Sequence, residues 1–495
     1  MLTGEHPLYF CSTLSLLAAV RNAAASSRQS LRLWIAIFTY SSLYRSLVQA
    51  LVILRLRILA KSHLIAPSAI QKQPRQASGQ HAQASSLKSQ SLTHRARVYA
   101  RTLRILRSDA TLPLLASLLA SPALVLLLPL EALPASSLGL WLISSVSSTA
   151  FLIARERKSK LVSWVPDWAN SSLLYAIGNG QLLWAFLFET EAFPQGYGKL
   201  ILARSSTYIA PRPTQLPSNV EWPSRQTISD HVALLATPTP TNKPFPSFTS
   251  PLLSAMKPSK HPTTPYHAIN PILDYSPAHP AHTQLMCAML HPTEPSCRQT
   301  LINHFKAEWL ASARFAGAFA LLSSVLFRSR SWVRDPETQI FKVAAATVQG
   351  ASVISGSVGT SWAMICFLQQ LLPPSVLPRS RFFLNGFLSS LLWIRVVPRE
   401  RRRELGLYTG RTSLQSAWKV LEKRGHVKAL PRGDVAVFAL GLALLAGLYE
   451  SQGDQVKGGP GAIAKRLFGD RMVSGIKGDA EDDGREQPSV KSRKR

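Results

Sequence analysis

Eight runs of mostly apolar residues, read against the thickness of a bilayer, constrain this chain more than any other feature. They are Trp34 to Leu54, Thr111 to Leu130, Ala135 to Ile153, Ser172 to Phe188, Trp309 to Phe327, Ala344 to Leu372, Phe382 to Val397 and Val435 to Tyr449. A hydrocarbon core of roughly 30 Å takes about 20 helical residues to cross, because a helix bonds every backbone N–H and C=O within its own segment. Charged residues make up only 17% of the chain, where soluble domains carry roughly 25%. The pattern predicts an all-α polytopic membrane protein with about eight transmembrane helices. Arg45 stands near the centre of the first run, at a cost of about 2.5 to 3.5 kcal/mol at mid-bilayer. That side chain must face other helices or snorkel, or the segment lies on the surface.

The net charge is +30, from 56 Lys+Arg against 26 Asp+Glu. Its placement is informative. Residues 55–110 hold eleven basic residues, 155–160 read Arg-Glu-Arg-Lys-Ser-Lys, Arg328, Arg330 and Arg334 follow the fifth run, and a basic cluster fills 395–432. All four follow odd-numbered runs, so alternate connectors share one side, as the positive-inside rule requires. Arg97, Arg101 and Arg104, then Arg155, Arg157 and Lys158, then Arg399, Arg401, Arg402 and Arg403 are the residues expected to meet the bilayer and its anionic headgroups. Nucleic acid is excluded as a partner, because the charge hugs the ends of apolar runs instead of interleaving with aromatics on a soluble domain.

The chain parses into an N-terminal segment (1–33), a first membrane half (34–204, with basic loop 55–110), a linker (205–284), a second membrane half (285–450) and a charged tail (451–495). The linker holds fifteen of the 34 prolines, all between 205 and 280, and is expected to be a disordered or polyproline tether. The tail is expected to be disordered as well. Glu5 is the only acid before Ser108, a poverty shared by mitochondrial presequences and by basic membrane arms. Ala154-Arg-Glu-Arg-Lys158 aligns with Pro398-Arg-Glu-Arg-Arg402, each after an apolar run and before an aromatic (Trp164, Tyr408). This repetition predicts two parallel four-helix repeats. In the second copy Leu414, Ala417, Trp418 and Leu421 share one face of a helix expected at the membrane interface.

The run Cys287-Ala-Met-Leu-His291-Pro292 through Ser296-Cys297, the span that follows, Gly350 to Leu372, Arg395 to Tyr408 and Gly433-Asp-Val-Ala-Val-Phe438 together resemble the transmembrane protein 135 family. Residues 285–450 carry the resemblance best, and 135–200 look like a second, eroded copy. It implies a multi-pass protein of peroxisomal or mitochondrial membranes, associated with lipid or metabolite traffic and organelle dynamics, and no established catalytic residues. The small residues of 350–361 have a more distant likeness to the inner-membrane translocase family, which implies instead a structural or assembly factor without transport activity.

Cys287, His291, Cys297 and His304 offer four metal-ligand types within eighteen residues, yet the spacing fits no familiar finger. A metal site, a Cys287–Cys297 disulfide and a plain juxtamembrane turn all remain open, the turn favoured, and no metal or cofactor is assigned. Gly350, Ser352, Ser355, Gly356 and Gly359 make small-xxx-small steps, which predict close helix packing inside the bundle, at a homo-oligomer seam or against a membrane protein partner. Cys366 in the same run reads as a small buried hydrophobe. An enzyme is not expected: no run shows two catalytic groups one turn apart, Gly458-Gly-Pro-Gly461 reads as a turn, and Asp167 reads as a helix cap. Arg45, Asn179, Gln181 and Gln349 are the polar residues a transport path would use.

Overall fold

The computed structural model describes residues 27–65, 110–127, 135–166, 171–209, 220–239, 243–250, 278–456 and 458–469, with 212, 216 and 272 between them. Among these residues the structure is helical and has no strand, only an isolated antiparallel bridge between Ser247 and Gln284. The helices are α1 (Ser27–Ile65), α2 (Thr111–Leu127), α3 (Ala135–Glu156), α4 (Ser171–Phe188), α5 (Gln195–Ala203), α6 (Arg225–Leu235), α7 (Leu285–Leu290), α8 (Cys297–Arg334), α9 (Pro336–Leu371), α10 (Ser380–Trp393), α11 (Arg399–Lys423), α12 (Gly433–Gln452) and α13 (Gly458–Phe468). Each of the eight apolar runs has a helix over most of its described residues. Five helices are long and apolar enough to cross a membrane, with candidate spans Trp34–Arg57, Ser136–Glu156, Cys297–Leu326, Pro336–Leu371 and Gly433–Gln455. The other three runs fall on the shorter helices α2, α4 and α10, of 17, 18 and 14 residues. At 1.5 Å per residue α10 reaches only about 21 Å, less than a hydrocarbon core.

Two compact units share the chain, and they cut across the expected halves. Of the described residues, those from 165 to 429 make the first, and those from 27 to 164 join those from 430 to 469 in the second. The linker at 205–284 is thus internal to the first unit, and α12 packs with α2 and α3. Glycine permits that association: a Cβ on Gly139 of α3 would lie 2.7 Å from the Phe438 nitrogen of α12, so the two backbones nearly touch.

In the second unit α1 buries Ala36, Tyr40, Tyr44 and Val48, four residues apart in succession, against Ala116, Ala120 and Leu124 of α2. The Tyr40 hydroxyl and Ser117 Oγ share a hydrogen bond, which satisfies both inside the apolar contact. Arg45 is exposed, away from that stripe, with its guanidinium beside Gly469 at the C-terminal end of α13. Negative carbonyl ends gather there, a suitable place for a cation. The tail does not begin as disorder: Gly458-Gly-Pro-Gly461 opens α13, with Pro tolerated in the first turn. Phe468 is fully buried, 4.7 Å from Tyr44 by ring centroids. Residues 470–495 lie outside the described residues.

The first unit has two textures. Around α6 and α7 it is an ordinary apolar core: Tyr208, Ile209, Ile228, Val232, Leu235, Phe245, Ile272, Met286 and Leu290 pack with Phe186 of α4, Trp362 of α9 and Phe382 of α10. The described part of the expected tether is therefore packed. Ser224 caps α6 by accepting from the Thr227 N–H at 3.0 Å, and Ile228, Val232 and Leu235 then fall on one face. The long helices are built the other way round. On α8, Thr300, His304, Glu308 and Ser312 are buried while Ile302, Leu310, Phe315, Leu321, Leu322 and Leu326 are exposed. On α11, Thr409, Ser413 and Ser416 face inward while Tyr408, Leu414, Trp418 and Leu421 face outward. Polar residues inside and apolar residues outside is the arrangement that a hydrocarbon surrounding favours and water penalises.

The end of α4 is tied to the end of α11. Glu189 accepts from Arg424 at 3.0 Å and pairs with Lys423 at 3.3 Å, and Lys423 also reaches Glu191 at 3.0 Å. Burial alone would raise the Glu189 carboxyl; Arg424 and Lys423 outweigh it and hold the group below its ordinary value. The tie is therefore complete above the ordinary carboxylate range and is lost as pH falls through the lowered value. Both cations are half-exposed, so Glu189→Gln is expected to cost only about 0.5 to 1 kcal/mol at neutral pH and nothing at strongly acid pH, checked by melting in detergent.

Candidate functional site

Ser296 caps α8 by accepting from the Gln299 N–H at 3.3 Å, so the helix starts at Cys297, well before the apolar run at Trp309. That early start brings His304 and Glu308 onto one helical stripe inside a candidate span, contrary to the expectation that no span pairs two such groups. Glu308 accepts from the Ser206 hydroxyl, and Arg204 Nη1 lies 3.7 Å from its other oxygen. His304 packs its ring 5.4 Å from Tyr208, and both of its nitrogens are buried without a hydrogen-bond partner. Trp362 of α9 donates to Ser205 Oγ at 2.8 Å. A polar seam thus runs between α8, α9 and the segment after α5.

A cavity of about 60 Å³ adjoins Trp362, lined mainly by leucines and aromatics with Asn179, Ser357, Ser361 and Ser390 as its polar contacts. Of the polar residues expected on a transport path, Asn179 lines it; its amide also donates to the Tyr175 carbonyl at 2.9 Å. Gln181 and Gln349 are half-buried elsewhere, and Arg45 belongs to the other unit.

The small residues of α9 each meet a neighbour. A Cβ on Gly350 would lie 3.0 Å from Ala316, on Gly356 2.2 Å from the Trp393 ring, and on Gly359 2.5 Å from the His304 ring. Ser352 accepts from Trp309 Nε1 at 3.2 Å, and the Ser355 hydroxyl donates to the Ala351 carbonyl at 2.7 Å. Among the basic residues, Arg155 lies in the last turn of α3, Arg157 donates to Gln452 at 2.7 Å, and Lys158 holds a left-handed φ of 50°. Arg399, Arg401, Arg402 and Arg403 open α11. Arg402 turns back to donate to the carbonyls of Val397 at 2.6 Å and Arg395 at 2.8 Å, so it ties the preceding turn together. Arg97, Arg101, Arg104 and Asp167 lie outside the described residues.

The structure also regroups the cysteines. Cys287, on the buried helix α7, His291, just after it, and Cys297, opening α8, converge with Cys366 of α9, their ligand atoms all within 4.8 Å of one another. His304 does not join them: it lies farther along α8, against Gly359. Cys287, Cys297 and Cys366 are free thiols, not a disulfide. His291 Nε2 lies 3.4 Å from Cys297 Sγ and 3.6 Å from Cys366 Sγ, and its Nδ1 lies 2.9 Å from the Glu294 carbonyl. Burial pulls the His291 imidazole down, but the Cys287 and Cys297 sulfurs bonded to it outweigh burial and push it up to about 10.

Four site residues escape sequence reading: Glu308, Arg204, Ser206 and Cys366. Glu308 alone had a local signal, its four-residue step from His304. Comparison with protein families, with curated proteins and with solved structures finds no match for this chain.

Proposed function

We propose that the chain is a multi-pass membrane protein of peroxisomes or mitochondria that acts in lipid or metabolite traffic or in organelle dynamics, without catalysis of its own. The observation that supports this reading is the polar seam that His304 and Glu308, inside the apolar helix α8, make with Arg204 and Ser206 of the segment after α5, next to a cavity with four polar contacts. Ionisable groups at membrane depth are costly and mark paths for ions or polar solutes. The eight-span count adds α2, α4 and α10 to the five longer helices. The exposed apolar face of α11 would lie in the interface, with its basic N-terminal turns towards anionic headgroups.

Reconstitution in vesicles tests the transport part. Wild-type protein is expected to pass fluorescent lipid or small polar solutes, and Glu308→Gln and His304→Ala to slow that passage by roughly tenfold or more. Wild-type vesicles without flux under any gradient would remove it. The second reading, a structural or assembly factor without transport, is favoured by the close glycine contacts of α9 and α10, and would give no flux but a stable oligomer or partner complex. A fluorescent tag on the full chain decides the organelle.

A further inference from the structure

Cys287, His291, Cys297 and Cys366 arrive by three independent routes: a buried six-residue helix and the turn that closes it, the first position of α8, and the interior of α9. We propose that they form a structural zinc site of Cys3His type, which fastens α7 and its turn to the paired helices α8 and α9.

Geometry is the first support. A tetrahedron with metal–sulfur arms of about 2.3 Å and metal–nitrogen arms of about 2.0 Å has edges of roughly 3.5 Å between nitrogen and sulfur and 3.8 Å between sulfurs. The two nitrogen–sulfur separations, 3.4 and 3.6 Å, already match the first edge, and the 4.8 Å bound on the whole set leaves only a small contraction for the rest.

Orientation is the second. The Glu294 carbonyl, 2.9 Å from Nδ1, takes that nitrogen's proton in a hydrogen bond, which leaves Nε2 as the donor and aims it at the sulfurs. Zinc-binding histidines are held in this way by an outer acceptor. The His282 ring packs edge-on against His291, with the ring centroids 4.9 Å apart, and its Nε2 lies 3.1 Å from the His291 backbone carbonyl, which holds the turn.

Chemistry and charge agree. Three thiolates with one imidazole are soft and borderline donors that suit zinc and exclude calcium or magnesium, which take oxygen. Zinc with three thiolates leaves one negative charge, and Cys297 sits at the N-terminal turn of α8, where free amides and the helix dipole favour it. Binding releases to solvent the protons that the cysteine sulfurs and His291 Nε2 carry in the metal-free site. Four protein donors close the coordination shell, and Cys287, His291 and Cys366 are buried, so the site has no open position for substrate. A disulfide between any two cysteines would leave the third thiol and the imidazole without a role.

The test uses the full chain purified in detergent under reducing conditions, with zinc measured by mass spectrometry. About one zinc per chain is expected, and cobalt in its place should show the d–d absorption of a tetrahedral thiolate site. Cys366→Ser is expected to lower zinc content by at least about tenfold, while Cys366→His and His304→Ala keep it. Wild-type protein holding less than about a tenth of an equivalent, even after equilibration with buffered zinc, would overturn the site, as would a Cys366→Ser variant that folds and retains its zinc. The wild-type measurement stands even where a variant does not fold.

Discussion

Gly386→Ala is expected to cost the first unit about 3 kcal/mol, and Gly386→Leu to prevent its assembly. A Cβ at this position would lie 2.6 Å from the Asn179 carbonyl oxygen and 3.0 Å from the Gly180 Cα, so it meets backbone on α4 that cannot turn aside. The contact is reciprocal: a Cβ on Gly180 would lie 2.8 Å from the Phe383 carbonyl oxygen. Helices in hydrocarbon gain little from hiding apolar surface, so their association rests on close packing, and separating α4 from α10 gives up most of it. On its other side α10 packs with α9, where the Ser389 hydroxyl donates to the Ser357 carbonyl at 2.8 Å, so the loss falls on the face towards α4. Melting in detergent, followed by tryptophan fluorescence, measures the loss. Gly196→Ala is the control: it has nothing within 4 Å, and alanine there is expected to be neutral or to stabilise by up to about 1 kcal/mol. Equal melting of Gly386→Ala and wild type would show that the two helices do not meet at this glycine.

Glu308→Ala is the second large effect, expected to cost about 3 kcal/mol. The Glu308 carboxylate is nearly buried and Arg204 only partly exposed, so deletion of the acid leaves a cation at the seam without its partner and the Ser206 hydroxyl without its acceptor. Replacing both members by apolar residues of similar volume, Arg204→Met with Glu308→Leu, should recover most of the loss, because a buried ion pair is held against the desolvation of two charges. A double-mutant cycle by melting reads the coupling directly. If the double variant is no more stable than Glu308→Ala, the cost belongs to packing and not to charge.

The long apolar helices were legible because lipid imposes a length and a composition, and both can be read in one dimension. Where reading failed, the cause lies in what one dimension hides. His304 and Glu308 lowered the apolar density ahead of Trp309, so the helix seemed to begin there; the Ser296 cap and the four-residue step from Thr300 to Ser312 marked the true start. In the linker, prolines masked the Ser224 cap and the Ile228, Val232 and Leu235 face of α6. Cys366 gave no local sign: it is 75 positions from the His291 it meets, and a lone cysteine in an apolar run looks like any small hydrophobe. The packing of α12 with α2 and α3 is likewise a matter of topology, which periodicity does not report.

The discontinuous second unit imposes a waiting time during synthesis. Helices α1 to α3 leave the ribosome first, yet α12 comes only after all of Val165–Ala429 has been made. At about 5 to 20 residues per second that interval is roughly 15 to 50 s. Throughout it the faces of α2 and α3 destined for α12 have no mate from their own chain, so nascent molecules stalled before Gly433 would be the natural clients of membrane chaperones and quality-control proteases.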